Sequence, residues 1–186
     1  TNNAGFALSY FQLPVSVDTA SLIAAGKMNT SCQDLRVANI SDIALNYEIE
    51  NGTCNTTSTV VWLGIPATNA TGNDTVYIYY GGGAVADGQT AQNLWRTAGY
   101  VGVWHMDNNG TIVDSAGYNN LTVNAGSSGS KCGMNSSTPF GYGLNFFNGC
   151  WISGGNTGGP RSTGSWTYTT WQKTNSLRAD GNHESI

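Results

Sequence analysis

"IALNYEIENGTCNTTSTVVWLGIP", residues 43–66, decides how the rest of the chain reads. In its first part Leu45, Tyr47 and Ile49 fall on one side of an extended chain and Asn46, Glu48 and Glu50 on the other. That period of two marks a half-buried strand with its carboxylates outward. Its last part, "STVVWLGIP" at 58–66, is apolar on both sides, which suits a central strand covered on both faces.

Alternation continues outward from there, and helical periodicity is scarce. Phe6, Leu8 and Tyr10 share one phase while Phe11, Leu13, Val15 and Val17 share the other, so a bulge or a change of face is expected at Tyr10–Phe11. "TASLIAAGKM" is expected to form a short helix, with Thr19 as cap and Gly26 near its end. "DLRVANI" and "TVYIYY" read as further strands, and "ADGQTAQNLW" as a connector holding one helical turn. From Tyr100 a second rhythm begins: "YVGVWHMD", "NNLTVNAG", "YGLNFFNGCWISGG" and "SWTYTTWQKT" read as short strands spaced by Gly, Asn and Ser. The expected fold class is all-β: a β-sandwich over 1–86, a connector at 87–100, and a partial jelly-roll sandwich over 101–186.

Composition narrows the function. Charged residues make up 10% of the 186, where about 25% is usual for a soluble domain, so something other than charge must keep the surface wet. With seven Lys and Arg and a net charge of −4 there is no basic stripe, and nucleic acid is not an expected partner. No apolar run approaches the length of a membrane span, so membrane insertion is not expected. A signal peptide is absent, which fits a mature chain or an excised fragment.

Cys32, Cys54, Cys132 and Cys150 form no C-x-x-C pair, and His105 and His183 are not spaced with them as a zinc site. Four cysteines allow three connectivities; Cys32–Cys54 with Cys132–Cys150 is favoured because each pair lies within one half. Free buried thiols are the alternative. Asn-x-Ser/Thr triplets begin at Asn29, Asn39, Asn51, Asn55, Asn69, Asn73, Asn109, Asn120 and Asn135. Nine triplets beside paired cysteines and scarce charge point to an oxidising secretory route and a surface solvated by N-linked sugar. The bland alternative is that an Asn- and Thr-rich β protein makes such triplets by chance.

Four motifs in order resemble a family of uncharacterised β domains found in large secreted and surface proteins. They are "CQDLRVANI", "LNYEIE", "VVWLGIP" and "VYIYYGG", spanning roughly residues 6–83 with their flanks. Such domains are often followed by a concanavalin A-like, laminin-G-like jelly roll, and "GVWHMD", "DSAGYNNLT", "FGYGLNFFNG" and "SWTYTTW" are similar to the first half of one. The resemblance implies fold and context, and no activity. It also implies a missing strand before "TNNAGF" and a jelly roll cut short at "NHESI".

Chemistry is sparse. Glu48 and Glu50 point the same way and could suit a glycosidase pair, but alternation alone places them outward. His105, Asp107, Asp114 and Ser115 could suggest a hydrolase, yet no G-x-S-x-G elbow is present. Asp107, Asn109 and Asp114 could offer oxygens to calcium, but the ordered D-x-D-x-D loop is missing. Trp104, Tyr118, Trp151 and Trp166 could stack on sugar, or simply fill a core. "GGG" at 81–83 lacks the Lys-Ser/Thr of a phosphate loop. No catalytic residue, metal or cofactor is expected.

The leading expectation is a non-enzymatic structural subunit of an extracellular or cell-surface filament or layer. Copies would join head to tail by strand donation from "FALSYFQLPVSV". A carbohydrate-binding or adhesion module is the alternative, and a fragment of a larger surface protein the third.

Overall fold

A computed structural model of the chain describes residues 2–136, 138–147, 149–154, 165 and 167–173. The architecture is all-β, with antiparallel sheets and two short helices among the described residues.

The first sheet has β1 (Ser9–Val17), β4 (Thr59–Ala67) and β3 (Tyr47–Ile49) in the order β1-β4-β3, so the strand apolar on both faces is central. Its register sets Val15 and Ile49 beside Val61, and Leu13 and Tyr47 beside Leu63. That row faces a core shared with Leu35 and Val37, where Val37 lies on β2 (Arg36–Asn39) and Val76 and Ile78 on β5 (Val76–Tyr79). β2 and β5 pair as a second, two-stranded sheet. The opposite row of the first sheet carries Pro14, Trp62 and Glu48 across from one another. This outer face, not the core, holds the candidate site.

Two local readings change. Residues Ser9↔Ala67 and Phe11↔Ile65 keep one register, so no residue is inserted at Tyr10; Tyr10 itself adopts φ 49 and absorbs the change of phase. α1 (Thr19–Ala24) is capped by Asp18, whose Oδ1 accepts from Ser21 N at 2.9 Å. Thr19, the expected cap, is the buried first residue, and its hydroxyl meets that of Thr59 at 2.5 Å. The carboxylate is the stronger acceptor for an orphan helix N–H, which leaves Thr19 to tie the helix to β4.

The segment read as a connector holds α2 (Ala91–Thr97), whose Leu94 and Trp95 are buried. α2 lies so close to β4 that a Cβ at Gly64 would stand 2.9 Å from Leu94 Cδ1. Leu94 and Trp95 pack with Trp62 of the first sheet and with Ala116 and Val103 beyond the helix, so this segment joins the halves through a shared apolar cluster.

The second half contains β6 (Thr111–Ile112), β7 (Leu121–Asn124) and β10 (Trp151–Gly154) in the order β10-β7-β6, plus the pair β8 (Gly133–Asn135) and β9 (Gly143–Asn145). Its core gathers Ile112, Val123, Cys132 and Cys150. "YVGVWHMD" is not a strand: it makes one bridge, Trp104↔Asp114, because the Asp114 carboxylate takes the Val103 N–H at 2.8 Å where a strand partner's carbonyl would stand. In "SWTYTTWQKT" the described residues 165 and 167–173 also form no strand, while Trp166 and Thr174 lie outside the described residues, as does His183.

Cys32 is bonded to Cys54 and Cys132 to Cys150, the half-by-half pairing. Each closes a loop of about twenty residues, as the separations of 22 and 18 show. Chain-entropy arithmetic for loops of that size gives about 3 kcal/mol per bridge. The Cys32→Ser, Cys54→Ser double variant is expected to lose about that much in urea unfolding, since the bridge pins the approach to β2 against the β3–β4 turn. A shift below about 1 kcal/mol would show that the denatured chain is already restrained there.

Candidate functional site

Strand alternation sends Glu48 and Glu50 of the β3 segment to the outer face of the first sheet. Neither lies open on the surface: Glu48 is half-buried. Glu50 is 2% exposed, against the expectation of an outward carboxylate. His105 lies between them, Nε2 at 3.2 Å from Glu48 Oε2 and Nδ1 at 2.8 Å from Glu50 Oε2. Three further side chains donate to the carboxylates. Trp62 Nε1 donates to Glu50 Oε2 at 2.7 Å, Trp95 Nε1 to Glu48 Oε2 at 2.5 Å, and Ser115 Oγ to Glu48 Oε1 at 2.5 Å.

The sequence places these groups far apart: β3, β4, α2, and the 103–115 stretch each contribute. Around them stands an aromatic wall. Trp62 lies 5.6 Å from Trp95 and 5.4 Å from Phe140, and His105 lies 6.1 Å from Trp95. The loop at 138–142 forms the lid. Gly141 has φ +57, and a Cβ there would come 2.8 Å from Glu50 Cγ. Tyr142 rests on Gly52 so closely that no side chain fits between them.

Burial by itself pushes His105 down, but hydrogen bonds and charge attraction from Glu48 and Glu50 outweigh it and raise it to about 10. Burial likewise pushes Glu48 up, and the bonds from His105, Ser115 and Trp95 win, leaving it below the ordinary carboxylate value. At neutral pH the set therefore holds His105 as an imidazolium, against the Glu48 carboxylate and bonded to Glu50.

Such a set holds charge well and moves protons poorly. A general base works best with a pKa near the working pH, and His105 is held well above it. Ser115, read with His105 as a possible hydrolase pair, donates instead to Glu48. Asp114 turns away: its Oδ1 accepts from Val103 N and Ala116 N, and its Oδ2 from Tyr118 N and Asn119 N. Asp107 accepts from Asn51 Nδ2 at 2.8 Å, a second tie between the halves. Asp114 spends both oxygens on four backbone N–H groups, so it is a poor calcium ligand. Among the described residues no cluster of three His, Cys, Asp or Glu is poised for a metal.

The aromatic platform is not assembled as a unit. Trp104 is turned inward, with its Nε1 donating to Asn119 O. Tyr118 carries the Arg96 guanidinium 4.4 Å above its ring. Trp151 is 54% exposed on β10, and Trp166 lies outside the described residues. Of the triplet asparagines, Asn51, Asn55, Asn69, Asn73, Asn109, Asn120 and Asn135 are exposed, while Asn29 and Asn39 are half-buried. Thr53 of the Asn51 triplet is buried, with Oγ1 donating to Glu50 O and accepting from Val60 N.

Residues 31–98 match the model of a family described as a domain of unknown function, DUF2341. The match covers β2 to β5 and runs through α2, so it takes in Glu48, Glu50, Trp62 and Trp95 but not His105 or Ser115. No curated protein and no solved structure matches the chain.

The sign of the pH dependence follows from the two shifts. The His105 contribution to stability is complete below its unfolded value near 6.5 and lost as pH rises through about 10. The Glu48 contribution is complete above its unfolded value of 4.5 and lost as pH falls through its lowered folded value. Urea midpoints measured against pH are expected to fall on both flanks. The Glu48→Leu, His105→Leu, Glu50→Leu triple variant should show a flatter curve by difference. His105→Ala alone should cost about 3–5 kcal/mol near pH 7, because it takes from the buried Glu50 and the half-buried Glu48 the imidazole that bonds both. Identical pH curves for wild type and triple variant would refute this assignment.

Proposed function

We propose that the chain is a non-enzymatic structural subunit of an extracellular or cell-surface, N-glycosylated assembly, a filament or layer joined through β strands. The observation that carries this reading is the state of β1. It pairs with β4 on one side and with no strand on the other among the described residues. Phe11 and Leu13 share the core-facing side with Val15, yet remain 43% and 39% exposed, because the second sheet has two strands against the first sheet's three. Long, apolar, uncharged edges recruit further strands, and folded proteins usually guard them with charge. Here no charged residue occurs before Asp18. No Asn-x-Ser/Thr triplet occurs before Asn29 either, so the surface that is open for pairing is also clear of sugar sites, while Asn55 and Asn69 lie just beyond the two ends of the β4 partner.

The geometry modifies the mode of joining. "FALSYFQLPVSV" supplies β1 of the chain's own sheet, so it is occupied and is not a loose donor. β1 and the uncovered face beside it act as the acceptor, and the incoming strand comes from another copy. The Glu48–His105–Glu50 cluster belongs to this reading as a structural clasp. Its polar atoms are spent on one another, and Glu50 is shut away from substrate. A second reading, a carbohydrate-binding or adhesion module, is favoured by the exposed indole of Trp151. A glycan array with specific binding lost in Trp151→Ala would support it.

Native glycosylated protein is expected to form filaments or sheets by electron microscopy and to elute as a broad assembly in size exclusion. Leu13→Lys places a charge on the uncovered face at a half-exposed position and should release monomers with wild-type disulfides and little change in melting temperature. A monodisperse wild-type monomer at high concentration would end this proposal.

A further inference from the structure

The outer face of the first sheet is covered unevenly. α2 and His105 sit over its β3 side, and the 138–142 loop crosses its middle. On the β1 side the face stays open as a groove of about 530 Å³ between Pro14, Ser16 and Val60 below and Pro139, Phe140 and Tyr142 above. No charged side chain lines it. Its walls alternate two chemistries. Phe140, Tyr142 and the two prolines offer flat apolar surface, Ser16 and Ser58 offer hydroxyls, and Thr56 and Thr138, whose hydroxyls donate to Thr53 O and to Phe140 O and Gly141 O, offer acceptor oxygen. Phe140 is held in place by Trp62 at 5.4 Å and faces Trp171 at 6.2 Å, and Trp171 is 77% exposed.

We propose that this groove seats a neutral oligosaccharide. An anionic or cationic ligand would meet no counter-charge there, and a purely apolar one would cover the Ser16 and Ser58 hydroxyls without giving them a partner. A sugar presents C–H faces suited to aromatic rings and hydroxyl rims suited to Ser and Thr. The groove also has a source of such ligand at its edge: Thr56, which lines it, belongs to the Asn55 triplet, and Gly52 belongs to the Asn51 triplet. Asn55 is exposed. The ligand is thus the chain's own Asn-linked glycan or one brought by another molecule, and the chemistry is the same. The site is separate from Trp151; its floor includes Pro14 and Ser16 of β1, on the face opposite the row of Phe11 and Leu13.

Two measurements on protein from a glycosylating host distinguish the sources, each with Ser16→Arg and Ser58→Arg, exposed positions that fill the groove with charge and leave the core alone. In the first, site-resolved enzymatic release of the Asn55 glycan is followed under native conditions. A glycan seated in the groove is released at least severalfold more slowly from wild type than from either variant. In the second, enzymatically deglycosylated protein is titrated with neutral oligosaccharides, including those released from itself. Binding at micromolar to millimolar concentration, weakened at least tenfold in both variants, assigns the groove to external sugar. Equal release rates together with no groove-dependent binding at millimolar sugar overturn the proposal. If Asn55 carries no glycan, the titration alone decides. Melting temperatures matching wild type confirm that the variants are folded.

Discussion

Three ionisable groups meet where the two halves of the chain touch, and the whole arrangement depends on matching them. Two carboxylates in a water-poor interface cost several kcal/mol each unless every oxygen finds a donor. His105, Trp62, Trp95 and Ser115 supply donors to both Glu48 oxygens and to Glu50 Oε2 from three separate stretches. If the second half slid along the first, a buried charge would lose its partner. The clasp thus fixes position more than it adds net stability, which is what buried ion pairs do best. Among the described residues no buried side-chain N or O lacks a hydrogen-bond partner.

The same economy shapes the surface. Asp34, Glu50 and Asp114 are buried, three of only eleven acidic residues, so the exterior is poorer in charge than the composition states. Two of them organise backbone. Asp34 accepts from the N–H groups of Asn29 and Gly81, and Asp114 gathers four N–H groups into a tight turn. Exposed Phe11, Leu13, Tyr77 and Tyr79 then stand on a surface with little charge to keep copies apart. This contrast gives the exposed triplet asparagines physical weight: attached sugar would do the solvating that charge does elsewhere.

Part of the site is legible in the residues. "STVVWLGIP" announced a strand covered on both faces, and it is central. A strand covered on both faces covers its neighbours as well, so Glu48, directly across from Trp62, could not lie on an open surface. The period of two named the correct face for both glutamates but not what lay over it. Nothing local marked His105 as their partner, because 55 residues and a helix separate it from Glu50. Trp62 and Trp95 carried the faintest signal: indole N–H groups destined for burial need acceptors, and this stretch held two carboxylates.

Alternation, glycine and asparagine punctuation, and cysteine placement determined the all-β class, the order of β1 to β5 and the half-by-half disulfides. These are matters of period and local chain length, and neighbouring residues suffice to express them. The tertiary structure alone decided that Asp114 would replace a strand partner for Val103, that the presumed connector would become the shared core of two halves, and that two outward glutamates would be locked around one imidazolium. Each depends on what covers a face, and a sequence states which residues share a face without stating what comes to rest on it.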